Sequence, residues 1–207
     1  MTLLVPIAAA AAALRTGRGW LKLAVPGTSA VILVVSTSVG RSWSLSLGAI
    51  VAAFVFSAAG DFFLSNKGSD TALFVRGIAL YALAHVGYLL AALFNAGISV
   101  WLFAVLVAAL SVYFFAFLAP AIKERPLAIS VFGYIVLSCA AMAASVTVVW
   151  PTPSPLLYAT GIALILFSDL MISLYEFRQV AAARPLILPT YYAAHLLITA
   201  SVLLLSA

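Results

Sequence analysis

Long apolar runs broken by short polar turns organise this chain from end to end. Eight runs stand out: Thr2–Leu14, Leu23–Val39, Leu47–Leu64, Leu73–Phe94, Ile98–Ala119, Leu127–Val149, Pro155–Tyr175 and Pro185–Ser206. A helix needs about 20 mostly apolar residues to cross the hydrocarbon of a bilayer, so these runs predict membrane helices. Barrel strands would alternate residue by residue, and these Ala/Leu-rich runs do not. Between them lie turn residues, such as Asn95–Gly97 and the Trp-Pro-Thr-Pro-Ser-Pro run at 150–155. The pattern predicts an all-α polytopic bundle of about eight transmembrane helices, forming a single membrane domain over residues 1–207. The first run is the shortest, and bilayer thinning with snorkelling lets it cross. The residues ahead of it carry no basic charge, so it reads as a retained span rather than a cleaved leader.

Composition strengthens this reading. Of 207 residues, 66% are hydrophobic and 7% charged, whereas soluble domains run about 25% charged. A soluble fold must show part of its surface to water and has no place for so much apolar material. The net charge of +5 does not indicate a nucleic-acid partner, because the basic residues stand singly between apolar runs. Their distribution reports orientation instead. The loops after spans one, three, five and seven carry Arg15, Arg18, Lys22, Lys67, Arg76, Lys123, Arg125, Arg178 and Arg184; the others carry only Arg41. By the positive-inside rule the odd-numbered loops are cytoplasmic and both termini lie outside. The expected location is the inner membrane of a bacterial cell. Cys139 lies inside an apolar run, and as the single cysteine it excludes an intramolecular disulfide.

Four residues are out of place in lipid: Asp61, His85, Asp169 and His195. Such side chains are costly at membrane depth and should face the bundle interior. Their contexts match in pairs. Asp61 is followed four residues later by Ser65, and Asp169 by Ser173; His85 is preceded four residues earlier by Tyr81, and His195 by Tyr191. The aspartates are 108 residues apart and the histidines 110. This predicts an internal repeat of residues 1–97 and 98–207, with four spans in each half and therefore a parallel relation. Both aspartates fall about two-thirds along inward-running spans, so the four polar groups are expected to converge on a cavity open toward the cytoplasmic leaflet. Tyr88, Tyr191 and Tyr192 are candidates for supporting the site, as are Ser65 and Ser173, although serines in helices commonly bond their own backbone. Glu176 and Arg178, at the end of span seven, read as solvated.

Four segments carry a resemblance. They are Gly60-Asp61-Phe62-Phe63-Leu64, Ala84-His85-Val86-Gly87-Tyr88, Leu166-Phe167-Ser168-Asp169 and Thr190-Tyr191-Tyr192-Ala193-Ala194-His195. In this order and spacing the chain resembles the YhhN-like lysoplasmalogenase family over nearly its whole length. It departs from the family's pattern at Val25-Pro26, where Lys-Pro is frequent, and the family position matching His195 is Gln as well as His. The resemblance implies hydrolysis of the vinyl-ether bond of a lysoplasmalogen, giving a fatty aldehyde and a glycerophospho-base. Asp61 and Asp169 suit that chemistry as catalytic residues. A protonated carboxyl donates to the alkene carbon, an oxocarbenium ion forms, and a second carboxylate stabilises it and orients water, as on glycosidic bonds. The expected partners are a lipid substrate and the bilayer, with no nucleic acid, no cofactor and no metal. Two other readings fit the residues. One is a metal-dependent lipid hydrolase, with Asp61, His85, Asp169 and His195 around zinc. The other is a small proton-coupled transporter, which a parallel repeat with midplane carboxyls also suits.

Overall fold

The structure is a computed structural model and describes residues 3–17, 22–38, 43–68 and 70–205. Thr2, Val39, Ser206, Arg18 and Arg41 lie outside the described residues. Eight α-helices are present among the described residues: α1 Leu4–Thr16, α2 Ala24–Ser38, α3 Leu45–Asn66, α4 Thr71–Leu93, α5 Val100–Tyr113, α6 Arg125–Ser145, α7 Ser154–Arg178 and α8 Arg184–Leu204. A π-turn at Phe114–Leu118 and a 3-10 turn at Ala119–Ala121 prolong α5, and the latter holds Pro120. The eight apolar runs thus became eight helices, with ends displaced by a few residues.

Local chemistry sets those ends. The Ser44 and Ser99 hydroxyls accept from the amides of Leu47 and Leu102, and the Asp70 carboxylate accepts from Ala72 and Leu73, satisfying orphan donors at the starts of α3, α5 and α4. Helices α6, α7 and α8 begin with a proline in the first turn, where its missing N–H costs nothing. Helix α1 stops at Gly17, whose φ of 63° is the left-handed cap that glycine adopts most readily.

Six helices, extended by their end turns to 21–25 residues, are long and apolar enough to cross a bilayer. Helices α1 and α2 are apolar but shorter, at 13 and 15 residues. At about 1.5 Å per residue they rise roughly 20 Å, against a hydrocarbon thickness of about 30 Å. Large apolar side chains also face outward: Trp101 is 85% exposed, Leu156 70% and Phe115 61%. An outer surface of this kind suits lipid contact, as in a multi-pass membrane protein.

The strongest packing is between α3 and α4 and between α7 and α8, with α4 also against α6. Small residues make this possible. A Cβ on Gly87 of α4 would come within 2.7 Å of the Ala49 carbonyl oxygen on α3, and a Cβ on Gly161 of α7 within 3.0 Å of the Ala194 carbonyl oxygen on α8. In lipid, where apolar burial gives no drive for association, such close backbone approach supplies the van der Waals contact that holds helices together. The ends after α1, α3, α5 and α7 gather on one side. Lys67 meets Glu176 there at 2.9 Å, and the Arg178 guanidinium lies 4.4 Å from the centre of the Phe117 ring. The described basic residues of these loops therefore gather at one physical end of the bundle.

Candidate functional site

Asp61 lies on α3 just after Gly60, and the glycine explains the local geometry. A Cβ at position 60 would stand 3.3 Å from the Tyr81 ring, so the absence of a side chain seats that ring flat on α3. The Tyr81 hydroxyl then donates to Asp61 Oδ1 at 2.5 Å. From α8 the Tyr191 hydroxyl donates to Oδ2 at 2.9 Å. Asp61 is buried, and both of its oxygens accept from a phenol. Hydrogen bonds of this kind are the compensation a carboxyl requires away from water.

Asp169 on α7 is held differently. The Tyr134 hydroxyl of α6 donates to Oδ2 at 2.6 Å, and His85 Nε2 of α4 stands 3.5 Å from the same oxygen. That separation is beyond a well-formed hydrogen bond, and His85 Nε2 has no other partner among the described residues. His85 Nδ1 lies 3.0 Å from the Tyr81 carbonyl oxygen. A carbonyl only accepts, so Nδ1 carries a proton, and the neutral ring presents an Nε2 lone pair toward Asp169. A proton on either Nε2 or the carboxyl makes the pair attractive.

The four intramembrane residues do not converge on one cavity as expected. Asp61 lines a cavity of about 570 Å³, and Asp169 lines a smaller adjoining one of about 50 Å³. Leu64, Phe74, Tyr81 and Ile172 line both. His195 faces neither; its Nδ1 is 2.9 Å from the Tyr191 carbonyl oxygen, its Nε2 is 3.4 Å from the Tyr88 hydroxyl, and its ring centre is 4.3 Å from that of Tyr191. The cause is helical geometry: Tyr191 points from α8 toward Asp61, so His195, one turn on, packs beneath it against Phe54. His195 and Tyr88 brace the site from behind.

The remaining candidates separate in the same way. Ser65 lines the larger cavity, and its buried hydroxyl has no hydrogen-bond partner among the described residues. Ser173 lines the smaller one and bonds back to the Leu170 carbonyl at 2.8 Å, with the Tyr113 hydroxyl at 2.9 Å. Tyr192 packs with Ala10, Ala13 and Val25, away from both cavities, and its hydroxyl has no partner among the described residues. Glu176 is not simply solvated: it pairs with Lys67 at the rim of the larger cavity. Two residues touch the carboxyls without having been singled out for that role, Tyr81 and Tyr134.

Among the described residues, no group of three or more His, Cys, Asp or Glu is placed to hold a metal ion. Asp61, His85, Asp169 and His195 therefore do not form the zinc ligand set that their types permit. The larger cavity has a consistent build. Leu14, Leu64, Ile172, Ile187 and Leu188 form aliphatic walls; Lys22, Lys67, Glu176 and Arg184 stand at its charged end; Asp61 and Tyr81 supply the polar groups deeper in. Along α3, Asp61 is six residues below Lys67, and along α7, Asp169 is seven below Glu176, so both carboxyls lie roughly 9–10 Å beneath that ion pair.

Comparison with known proteins gives one match: the family model described as YhhN family matches residues 4–202, nearly the whole chain. No curated protein and no solved structure matches.

Proposed function

The chain belongs to the YhhN family, and on that premise we propose that it is a membrane lysoplasmalogenase, hydrolysing the vinyl-ether bond of a single-chain ether lipid. The observation that carries the reading is a buried carboxyl, Asp61, in a cavity of about 570 Å³ with aliphatic walls and a charged end. Such a cavity suits an amphiphile whose reactive bond lies beside the acid and whose polar group lies at the charged end.

The chemistry needs a proton and a water. The Asp61 carboxyl donates its proton to the alkene carbon distal to the ether oxygen, leaving a carboxylate beside an oxocarbenium ion. Water adds to the cationic carbon and returns a proton to that carboxylate. The resulting hemiacetal collapses to a fatty aldehyde and the glycerol hydroxyl. Tyr81 and Tyr191 fix the carboxyl's orientation through both oxygens, and positioned acids of this kind contribute about 10²–10⁴-fold. Asp169, with His85 and Tyr134, places a second proton-binding pair next to the Tyr81 ring. The test is aldehyde release from a 1-alkenyl lysophospholipid by the purified protein in detergent. Turnover without two compartments separates hydrolysis from transport; no aldehyde from folded protein would sink the assignment.

We also propose that the end bearing Lys67 and Lys123 faces the cytoplasm, with both termini on the other side. The support is the concentration of basic residues at that end. Cysteines introduced at positions 67 and 123 should resist an impermeant thiol reagent in intact cells and react after permeabilisation. Reaction in intact cells would reverse the orientation.

A further inference from the structure

We propose that Lys22 and Arg184 form a phosphate subsite at the mouth of the Asp61 cavity, through which the protein reads the phosphate of its lipid and not the amine beyond it. The inference rests on Asp61 being the acid that meets the reactive bond.

Three cations and one carboxylate line the mouth: Lys22, Lys67, Arg184 and Glu176. The Lys67 charge is taken up by Glu176 at 2.9 Å, and its ammonium lies 5.0 Å from the centre of the Phe74 ring. Lys22 and Arg184 have no carboxylate partner among the described residues. The Arg184 guanidinium stands 5.8 Å from the centre of the Tyr175 ring, which also lines the cavity, so an aromatic face helps to position it there. Two cations outside any ion pair among the described residues suit a phosphate, Lys22 also lying within electrostatic reach of Asp61, and an arginine fork matches its oxygens. The same positive charge opposes a quaternary or primary ammonium, and Glu176, the carboxylate that lines the charged end among the described residues, is already engaged.

Length agrees. Lys67 is six residues from Asp61 along α3, a rise of about 9 Å, and Arg184 is seven from Tyr191, the Asp61 partner on α8, a rise of about 10 Å. In a 1-alkenyl glycerophospholipid about six bonds of about 1.5 Å separate the cationic carbon from phosphorus, a zigzag span of roughly 7–8 Å. With the reactive bond at Asp61, the phosphate reaches toward the charged end that Lys22 and Arg184 line.

The test uses saturated 1-O-alkyl probes, which bind but cannot be cleaved, on full-length protein in detergent. Alkylglycerol, alkylglycerophosphate, alkylglycerophosphocholine and inorganic phosphate are titrated, with bound probe as the readout. The two phospholipids should bind with similar affinity and about tenfold or more tighter than alkylglycerol, a loss expected when a charge-assisted contact is removed. Inorganic phosphate, lacking the chain, should compete only at far higher concentration; equal competition would make the site one for free phosphate and overturn the lipid assignment. Arg184→Gln and Lys22→Gln should each lower phospholipid affinity about tenfold and leave alkylglycerol unchanged. Lys123→Gln, a charge at the same end but outside the cavity, should change neither. Equal binding of alkylglycerol and the phospholipids by the unmodified protein overturns the proposal. So does an equal loss for Lys123→Gln, or a preference for the choline lipid over the glycerophosphate. Aldehyde release is scored separately. Phosphate-dependent binding without hydrolysis would leave the subsite standing and remove the enzymatic reading alone.

Discussion

Asp61 and Asp169 occupy like positions in sequence but unlike surroundings. Asp61 has a phenol on each oxygen, from α4 and α8, and faces the larger cavity. Asp169 has one phenol, from α6, and a histidine from α4 at 3.5 Å, and it faces the smaller cavity. Both are acids within membrane-length helices, Asp61 buried and Asp169 with 14% of its side chain exposed, and depth alone would treat them alike. The partners do not. An acid clasped on both sides is fixed in orientation, as a donor to a bound substrate must be. An acid next to an imidazole lone pair is suited to exchange a proton with it. We read Asp61 as the group that meets the lipid and Asp169 as the group that serves it through the Tyr81 side of the site.

The largest expected effect tests that division. Asp61→Asn keeps shape and removes the exchangeable proton, and aldehyde release should fall by at least about 10²-fold, toward the upper end of what a positioned acid contributes. Asp169→Asn should fall on the order of 10²-fold, and less than Asp61→Asn. Near-normal turnover by a folded variant at either position removes that residue from the mechanism; a larger loss at Asp169 reverses the two roles.

Much of the fold is legible in the sequence. Continuous apolar runs satisfy their backbone in lipid as helices, so the eight elements followed from the chain alone, six of them long enough to cross. Charged and imidazole residues inside them flagged α3, α4, α7 and α8, because a side chain that costs so much at depth needs a reason to be there. The partners were less legible. Tyr134 carries no charge, stands among ordinary apolar residues of α6, and is 35 positions from Asp169; only the packing of α6 beside α4 and α7 brings it there. The place of His195 outside both cavities was also hidden, since one helical turn separates it from Tyr191 and sends one to Asp61 and the other to Tyr88. The role of Glu176 depended on its pairing with Lys67, 109 positions away.

The second test compares the helix pairs that carry the two acids. The α3–α4 contact closes at Ala53 and Gly87, and the α7–α8 contact at Gly161 and Ala194. Gly161 follows Ala53 by 108 residues, the same offset as between the aspartates. Gly87→Ala brings a methyl against the rigid Ala49 carbonyl, 2.7 Å away, and should destabilise by about 1–3 kcal/mol, as overpacking does. At Gly161 the nearest atom, 2.6 Å away, belongs to the Ile198 side chain, which is able to turn aside, while the Ala194 carbonyl oxygen is 3.0 Å away. Gly161→Ala should therefore cost less. Thermal unfolding in detergent measures both, and a tolerated Gly87→Ala would deny the close contact on which the α3–α4 scaffold rests.

The smallest effects separate the histidines, which share a backbone bond and differ at the other nitrogen. Each Nδ1 stands about 3 Å from the carbonyl oxygen four residues earlier, so each ring is tethered to its own helix. His85 Nε2 then looks at a carboxylate, and His195 Nε2 at the Tyr88 hydroxyl, 3.4 Å away. Only the first arrangement offers a proton exchange that an amide cannot reproduce. His85→Ala should lower aldehyde release about tenfold, within the range of losing a hydrogen-bonded contact to a charged group. His195→Gln should change it by no more than about threefold, because a glutamine amide supplies one N–H for the Tyr191 carbonyl and one oxygen for Tyr88. The two measurements must be read with the melting temperature, since His195 is fully buried against Phe54 and Tyr191 and its packing is part of what it does. If a stably folded His195→Gln loses as much activity as His85→Ala, the second imidazole is a proton carrier too, and the contrast between a working and a bracing histidine fails.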